Sequence, residues 1–243
     1  MDGYIQCSRY AFGPNRLHYC GPDQNQEMYE YIQDDIVDAG LEKILSKFKT
    51  MYPYLRFIAR ENNIKNPIDK CVVEAYWIGN NLLENVNRAR FYRYLVDDLE
   101  LKKKLGNKKF SYVEGKLSKG AVPHHSFHVL DIWRQSEQFE EGHSLESLDK
   151  CRIGWGKVVS VSGPDIIIDT EDIIYENGKL MLSPVKKRTL KRKLESEYEI
   201  EQLKKGDVVS IHWDIVCEKI RPEQARLLKK YTLQHLELAN ETF

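Results

Sequence analysis

The sequence predicts an α+β protein: a mainly helical N-terminal domain (1–148) followed by a small OB-like β-barrel with a C-terminal helix (149–243). Three observations predict it. Apolar residues recur at helical spacing up to about residue 105, they gather into short β-branched runs past residue 150, and a last helical stripe follows Pro222. A chain of 243 residues accommodates one large domain or two small ones. The boundary is expected within EEGHSLESLD, between residues 140 and 150.

In chain order, Met28, Ile32 and Ile36 form one helical stripe that Gly40 is expected to end, and Leu41, Ile44, Leu45 and Phe48 form the next. Asn66-Pro67 predicts a helix start, a cap residue followed by proline at the first helical position. The segment after it, CVVEAYWIGNNLLENV, is apolar nearly all round and is expected to be buried, with Cys71 as a packing thiol. Residues 88–105 continue as a helix with Phe91, Leu95, Leu99 and Leu105 inward, and the polar stretch 106–120 predicts a loop or hairpin. Strands are expected at 156–161, at 166–169 and on both sides of Asn177-Gly178, a strong hairpin signal. The run VVSIHWDIVCEKI is the last extended segment, with Cys217 on a core face. The basic run 186–193, followed at once by acidic residues, predicts a solvated loop or helix start. A final helix carries Leu227, Leu228, Tyr231, Leu233 and Leu236.

Charge excludes some function classes. Lysines and arginines number 37, as do aspartates and glutamates, and the balance holds in each half: 20 basic against 21 acidic in 1–148, 17 against 16 in 149–243. Neither half is a polycation, so no nucleic-acid partner is expected. The five cysteines are an odd number with no CxxC pair, which predicts a reducing, cytoplasmic compartment. No apolar run approaches the ~18 residues of a membrane span, and the first residues show no signal-peptide pattern. There is no Walker A sequence, GxGxxG, HExxH or GxSxG.

Three clusters carry candidate chemistry. In GPNRLHYCGPD (13–23), Cys20 is expected in a tight loop just before a helix N-terminus, where dipole and free N–H groups favour thiolate. In PHHSFHV (123–129), His124 and His128 share a face in either an extended or a helical backbone. Two imidazoles on one face suit Fe, Ni, Zn or Cu, and Glu74 is a candidate carboxylate for the same site. The catalytic alternative pairs Cys20 as nucleophile with His125 as base. The third cluster joins CRIGWGKVV (151–159) to GDVVSIHWDIVCEKI (206–220), with Trp155 and Trp213 able to frame a pocket.

That third cluster resembles the HypC/HupF family of hydrogenase-maturation chaperones, through Cys151, Ile153, Gly156, Lys157 and Val158, then Gly206, Asp207, Val209 and His212, then the terminal helix. The resemblance implies an OB-like barrel and an iron-binding pair, Cys151 as thiolate ligand and His212 as its partner. It also implies a protein partner, a maturation scaffold or metalloenzyme precursor. The family carries its Cys at the mature N-terminus, whereas Cys151 is internal. Trp155 stands where the family has proline, and an insertion lies around 183–203. The whole chain also resembles an uncharacterised bacterial and archaeal family with the blocks GPNxLxYCGP, VVEAYWxGN, PHHSFHV, CRIxWGxV and GDxVSxHWDxVC, which occur here in that order. The expected function is an accessory protein for metallocentre assembly of the nickel–iron hydrogenase type. Iron would sit on Cys151 and His212, with Cys20, Glu74, His124 and His128 as a second site. The alternative is a Cys/His- or metal-dependent enzyme with its site in the helical domain. Oligomeric state is open.

Overall fold

The computed structural model of the protein describes residues 1–136, 144–163, 165–191 and 203–242. The helical region holds α1 (Gly3–Arg16), α2 (Asn25–Asp34), α3 (Ala39–Ser46), α4 (Met51–Glu61), α5 (Lys70–Trp77), α6 (Arg88–Arg93) and α7 (Leu101–Leu117). A short helix α8 (His125–Phe127) runs into a π-turn (His128–Ile132), and α9 (Leu145–Cys151) leads into the sheet region. There, β1 (Gly154–Ser162), β2 (Asp165–Thr170), β5 (Lys186–Lys191), β6 (Val208–His212) and β7 (Ile215–Ile220) form an antiparallel sheet in the order β5-β2-β1-β6-β7. β3 (Ile173–Glu176) and β4 (Lys179–Leu182) form a separate hairpin. The last helix is α10 (Pro222–Asn240). The protein is α+β, with a helical N-terminal region, a small sheet region and a C-terminal helix. The OB-like barrel strands are present as that five-strand sheet, and its described ladders end at β5 and β7.

Several boundaries move from their expected places, each for a local reason. Helix α2 ends at Asp34 because Asp35 takes a left-handed conformation (φ 52°). Ile36 is therefore exposed, and Gly40 lies in the first turn of α3, whose cap is Asp38. Helix α5 starts three residues beyond Pro67, capped by the Asp69 carboxylate on Cys71 N–H at 2.9 Å. Cys71, at the first turn, is exposed and is not a packing thiol. The polar stretch 106–120 is mostly helix: Gly106 breaks α7 (φ 74°, ψ 164°), and beyond it Phe110, Val113 and Leu117 bury one face at helical spacing. Good helix formers among the lysines sustain the exposed side. The basic run is not a loop but edge strand β5, where exposed lysines blunt an unpaired edge and Leu190 turns inward. The remainder of that run and of the insertion, residues 192–202, lies outside the described residues, as does 137–143 within the expected boundary segment. The last extended run folds back on itself, because Trp213 (φ 51°) and Asp214 (φ 61°) make a two-residue hairpin turn between β6 and β7.

The main core does not stop at residue 148. Ile153, Cys217, Ile220, Leu228, Tyr231 and Leu238 pack in the same apolar cluster as Ile5, Tyr54, Tyr76 and Phe127. Helix α1 is fastened to the sheet: the Tyr10 hydroxyl donates to the Glu218 carboxylate at 2.7 Å and meets Ser210 Oγ at 2.8 Å, and Gln6 reaches the same carboxylate at 2.8 Å. Gly13 makes the approach possible, since a Cβ there would lie 2.7 Å from the His212 carbonyl oxygen. At the other end, a buried ion pair joins Lys116 on α7 to Asp131 in the π-turn at 2.8 Å, with both side chains at most 1% exposed.

Candidate metal centre

Three elements deliver three donor side chains to one point. His125 comes from α8, Cys151 from the end of α9 and His212 from the end of β6, and one ligand atom from each lies within 4.8 Å of the other two. The local structure behind each is specific. Cys151 is held because Asp149 binds Arg152 at 2.8 Å and accepts the Ile173 N–H at 2.7 Å, while the Lys150 carbonyl accepts the Trp213 N–H at 2.9 Å. These bonds pin the end of α9 to the β6–β7 hairpin and to β3. His212 donates through Nδ1–H to the Tyr10 carbonyl at 2.6 Å. That bond fixes its tautomer and leaves the lone pair on Nε2, which is buried with no hydrogen-bond partner. His125 donates through Nε2–H to the Cys151 carbonyl at 2.8 Å, so its Nδ1 carries the lone pair and meets the Tyr76 hydroxyl at 3.1 Å.

The two imidazoles sit edge to face at 5.2 Å between ring centres, with Trp77 packed on both at 4.5 and 5.6 Å. Above them lies a cavity of about 600 Å³ whose lining includes Cys20, Met51, Tyr76, His128, Trp133 and Trp213. Among the described residues, no aspartate, glutamate, lysine or arginine lines it. Burial therefore decides the electrostatics. It pushes the Cys151 thiol up to about 12, with the nearby Cys20 adding to the rise and the Trp213 indole opposing it. It lowers His212 to about 4, opposed by the hydrogen bond to the Tyr10 carbonyl. Burial, followed by the neighbouring His212, holds His125 well below the ordinary imidazole range. The resting state is one neutral thiol and two neutral rings.

The two sites foreseen from the sequence share one cavity. Cys20, His125, His128, Cys151 and His212 all line it. Two candidates fall elsewhere. His124 caps α8, so its Nδ1 turns back onto Ser126 N–H at 3.1 Å, and the ring stacks on Tyr231 at 5.1 Å in a separate buried group with Ser126 and His235. Glu74 is half-buried on α5 outside the cavity, while Tyr76 and Trp77 of the same helix line it. Cys20 is not a thiolate at a helix end: α2 begins only at Asn25, and burial pushes the thiol up to about 11. Trp213 frames the cavity, packed against Tyr19 at 4.6 Å, whereas Trp155 lies against Arg152. Tyr10 went unforeseen, because it acts through its backbone carbonyl and no residue type signals that.

A family model described as a family of unknown function, DUF6390, matches residues 1–243. The chain belongs to this family. Membership of DUF6390 accords with the whole-chain resemblance read from the five sequence blocks, while no comparison supports the likeness of the C-terminal segment to HypC/HupF. No curated protein and no solved structure matches this DUF6390 chain. Among its described residues, no helix is long and apolar enough to cross a membrane.

Thiol exposure gives a direct check on this geometry. A short pulse of iodoacetamide at neutral pH should label exposed Cys71 first and buried Cys7 and Cys217 last, with half-buried Cys151 slowed by its raised thiol. Peptide mass spectrometry reads the order, and prompt labelling of Cys151 would contradict the burial of its sulfur.

Proposed function

We propose that this protein is an accessory protein for metallocentre assembly, holding iron or an iron–ligand complex on Cys151, His212 and His125. The observation that carries the metal part is the convergence of a thiol and two imidazoles within 4.8 Å. The orphaned Nε2 of His212 gives that convergence a direction. A buried lone pair without a donor is costly, and a metal ion removes that cost. Each ring also has the outer support that metal-bound histidines use, an N–H donated to a backbone carbonyl. Thiolate with imidazole suits iron and zinc among common ions. The assembly role, with a maturation scaffold or metalloenzyme precursor as protein partner, is supported by the resemblance of the Cys151 and His212 segments to HypC/HupF.

The enzyme reading, with Cys20 or Cys151 as nucleophile and a histidine base, draws support from the cavity beside these groups. It needs a thiolate at rest, and here burial raises both thiols and lowers the imidazoles. A dication reverses that balance at once, since coordination deprotonates the thiol and uses neutral rings. The electrostatics therefore favour the metal.

The test is elemental analysis of protein purified under anaerobic conditions and reconstituted with ferrous iron. Wild type is expected to bind about one ion per chain, and Cys151→Ala and His212→Ala are each expected to lose at least ~10-fold in affinity. Circular dichroism confirms that the variants fold. Folded wild type that takes up neither iron nor zinc overturns the proposal.

A further inference from the structure

The charge of the cavity points to a fourth donor. A divalent ion on Cys151, His125 and His212 carries two positive charges against one thiolate. The loaded site would keep a net charge of +1 in a cavity where no aspartate, glutamate, lysine or arginine among the described residues lines the wall, and a buried uncompensated charge is strongly unfavourable. One more anionic donor makes the centre neutral. Among the described residues, the lining contains one other cysteine, Cys20, and it shares the cavity with Cys151 and Tyr76.

We infer that Cys20 closes the site as a second thiolate, giving a neutral S2N2 centre of Cys20, Cys151, His125 and His212. This rests on the metal reading above. Two observations support it independently of the cysteine: the unpartnered Nε2 of His212, on a side chain only 1% exposed, belongs to the same cavity wall, and no carboxylate among the described residues lines that wall. Cys20 sits on the segment between α1 and α2, outside the group of atoms within 4.8 Å of one another. The buried Asn15 side chain holds this segment by donating to the carbonyls of Cys20 and Pro22 at 2.9 and 2.7 Å. Leu17, His18 and Tyr19 beside it are exposed, so the thiol moves in with a surface segment rather than with a packed helix. Loading is then a closure: the dication displaces a proton from each of two thiols, and both protons leave to solvent. His128, whose Nδ1 is also without a partner, lines the same cavity, but a neutral ring there would leave the charge uncancelled.

Cobalt(II) distinguishes these arrangements, because its sulfur-to-metal charge-transfer absorption scales with the number of bound thiolates and four-coordinate S2N2 geometry has intense visible bands. The experiment titrates cobalt(II) into the apo full-length chain, as wild type, Cys20→Ser, Cys20→Asp and His128→Gln. Cys20→Ser is expected to lose about half the sulfur absorption and to bind at least ~10-fold more weakly. Cys20→Asp is expected to recover affinity, since it restores the charge, without recovering the absorption. His128→Gln should match wild type. A sulfur band unchanged in Cys20→Ser overturns the inference while leaving the three-donor centre intact. Failure of folded wild type to bind cobalt(II) overturns both.

Discussion

Between pH 7 and pH 5 the metal-free protein is expected to lose most of its stability. Five of its seven histidines are held neutral, His124, His125, His212 and His235 buried and His128 half-buried. In each, burial is the leading cause of a lowered proton affinity, to about 3 for His124 and about 4 for His128 and His212. An unfolded chain protonates its imidazoles near pH 6.5. Below that value the unfolded state gains protons that the native state refuses, so stability falls as pH falls, and the loss continues down to the native values. Each such group contributes a slope of roughly 1.4 kcal/mol per pH unit. Five together remove at most roughly 7 kcal/mol per unit, offset in part by Asp131, whose carboxyl is raised to about 7 and takes up its proton in the native state first, and the net loss is comparable to a typical domain stability of about 5–15 kcal/mol near pH 5. Thermal unfolding of chelator-treated protein from pH 8 to 5 measures this. His235→Gln, away from the metal centre, should flatten the slope by about a fifth. A melting temperature that stays level down to pH 5 would contradict the burial of these rings.

Lys116→Ala is expected to be the most destabilising single charge removal, at about 3–5 kcal/mol. Its ammonium meets Asp131 at 2.8 Å, with both groups out of solvent. Burial pushes the Asp131 carboxyl up to about 7, and Lys116 is the main force acting against that rise. Without Lys116 the carboxylate must either stay charged in apolar surroundings or take up a proton, and both cost stability. The pair links α7 to the π-turn that follows His125, so its loss also loosens the support of the candidate site. Urea unfolding gives the magnitude, and the double variant Lys116→Met/Asp131→Leu should recover most of it, since an apolar pair of similar volume has no charge to desolvate. A Lys116→Ala protein within about 0.5 kcal/mol of wild type would mean that the pair is not buried as described.

The fold class was legible because periodicity is a local signal. The stripe of α3, the β-branched runs and the Asn177-Gly178 turn appear where the residues indicate, and the stripe of α10 does so except at Leu233, which is exposed. What was not legible depends on surroundings. Residues 106–120 look like a loop when only their polarity is weighed, but Phe110, Val113 and Leu117 find a core to face. Lys186–Lys191 is a strand because β2 offers it an edge. At the site, residue types were legible and grouping was not. Cys20, His125, Cys151 and His212 were all singled out, yet the sequence left open whether Cys20 and the histidine cluster, about a hundred residues apart, meet each other or Cys151; the packing of α1 on β6 and β7 helps bring them to one cavity. His124 and His128 were expected on one face. A three-residue helix running into a π-turn instead gives His125 and His128 to the cavity and His124 to the core.

The placement of His125 on one side of the expected boundary, and of Cys151 and His212 on the other, has a consequence for inheritance. A gene segment encoding either part alone would encode no complete donor set. Recombination that exchanged the sheet region for a homologous one would have to bring a histidine to the Tyr10 carbonyl at the same depth. Both parts are needed for the proposed donor set, and the family model matches across both.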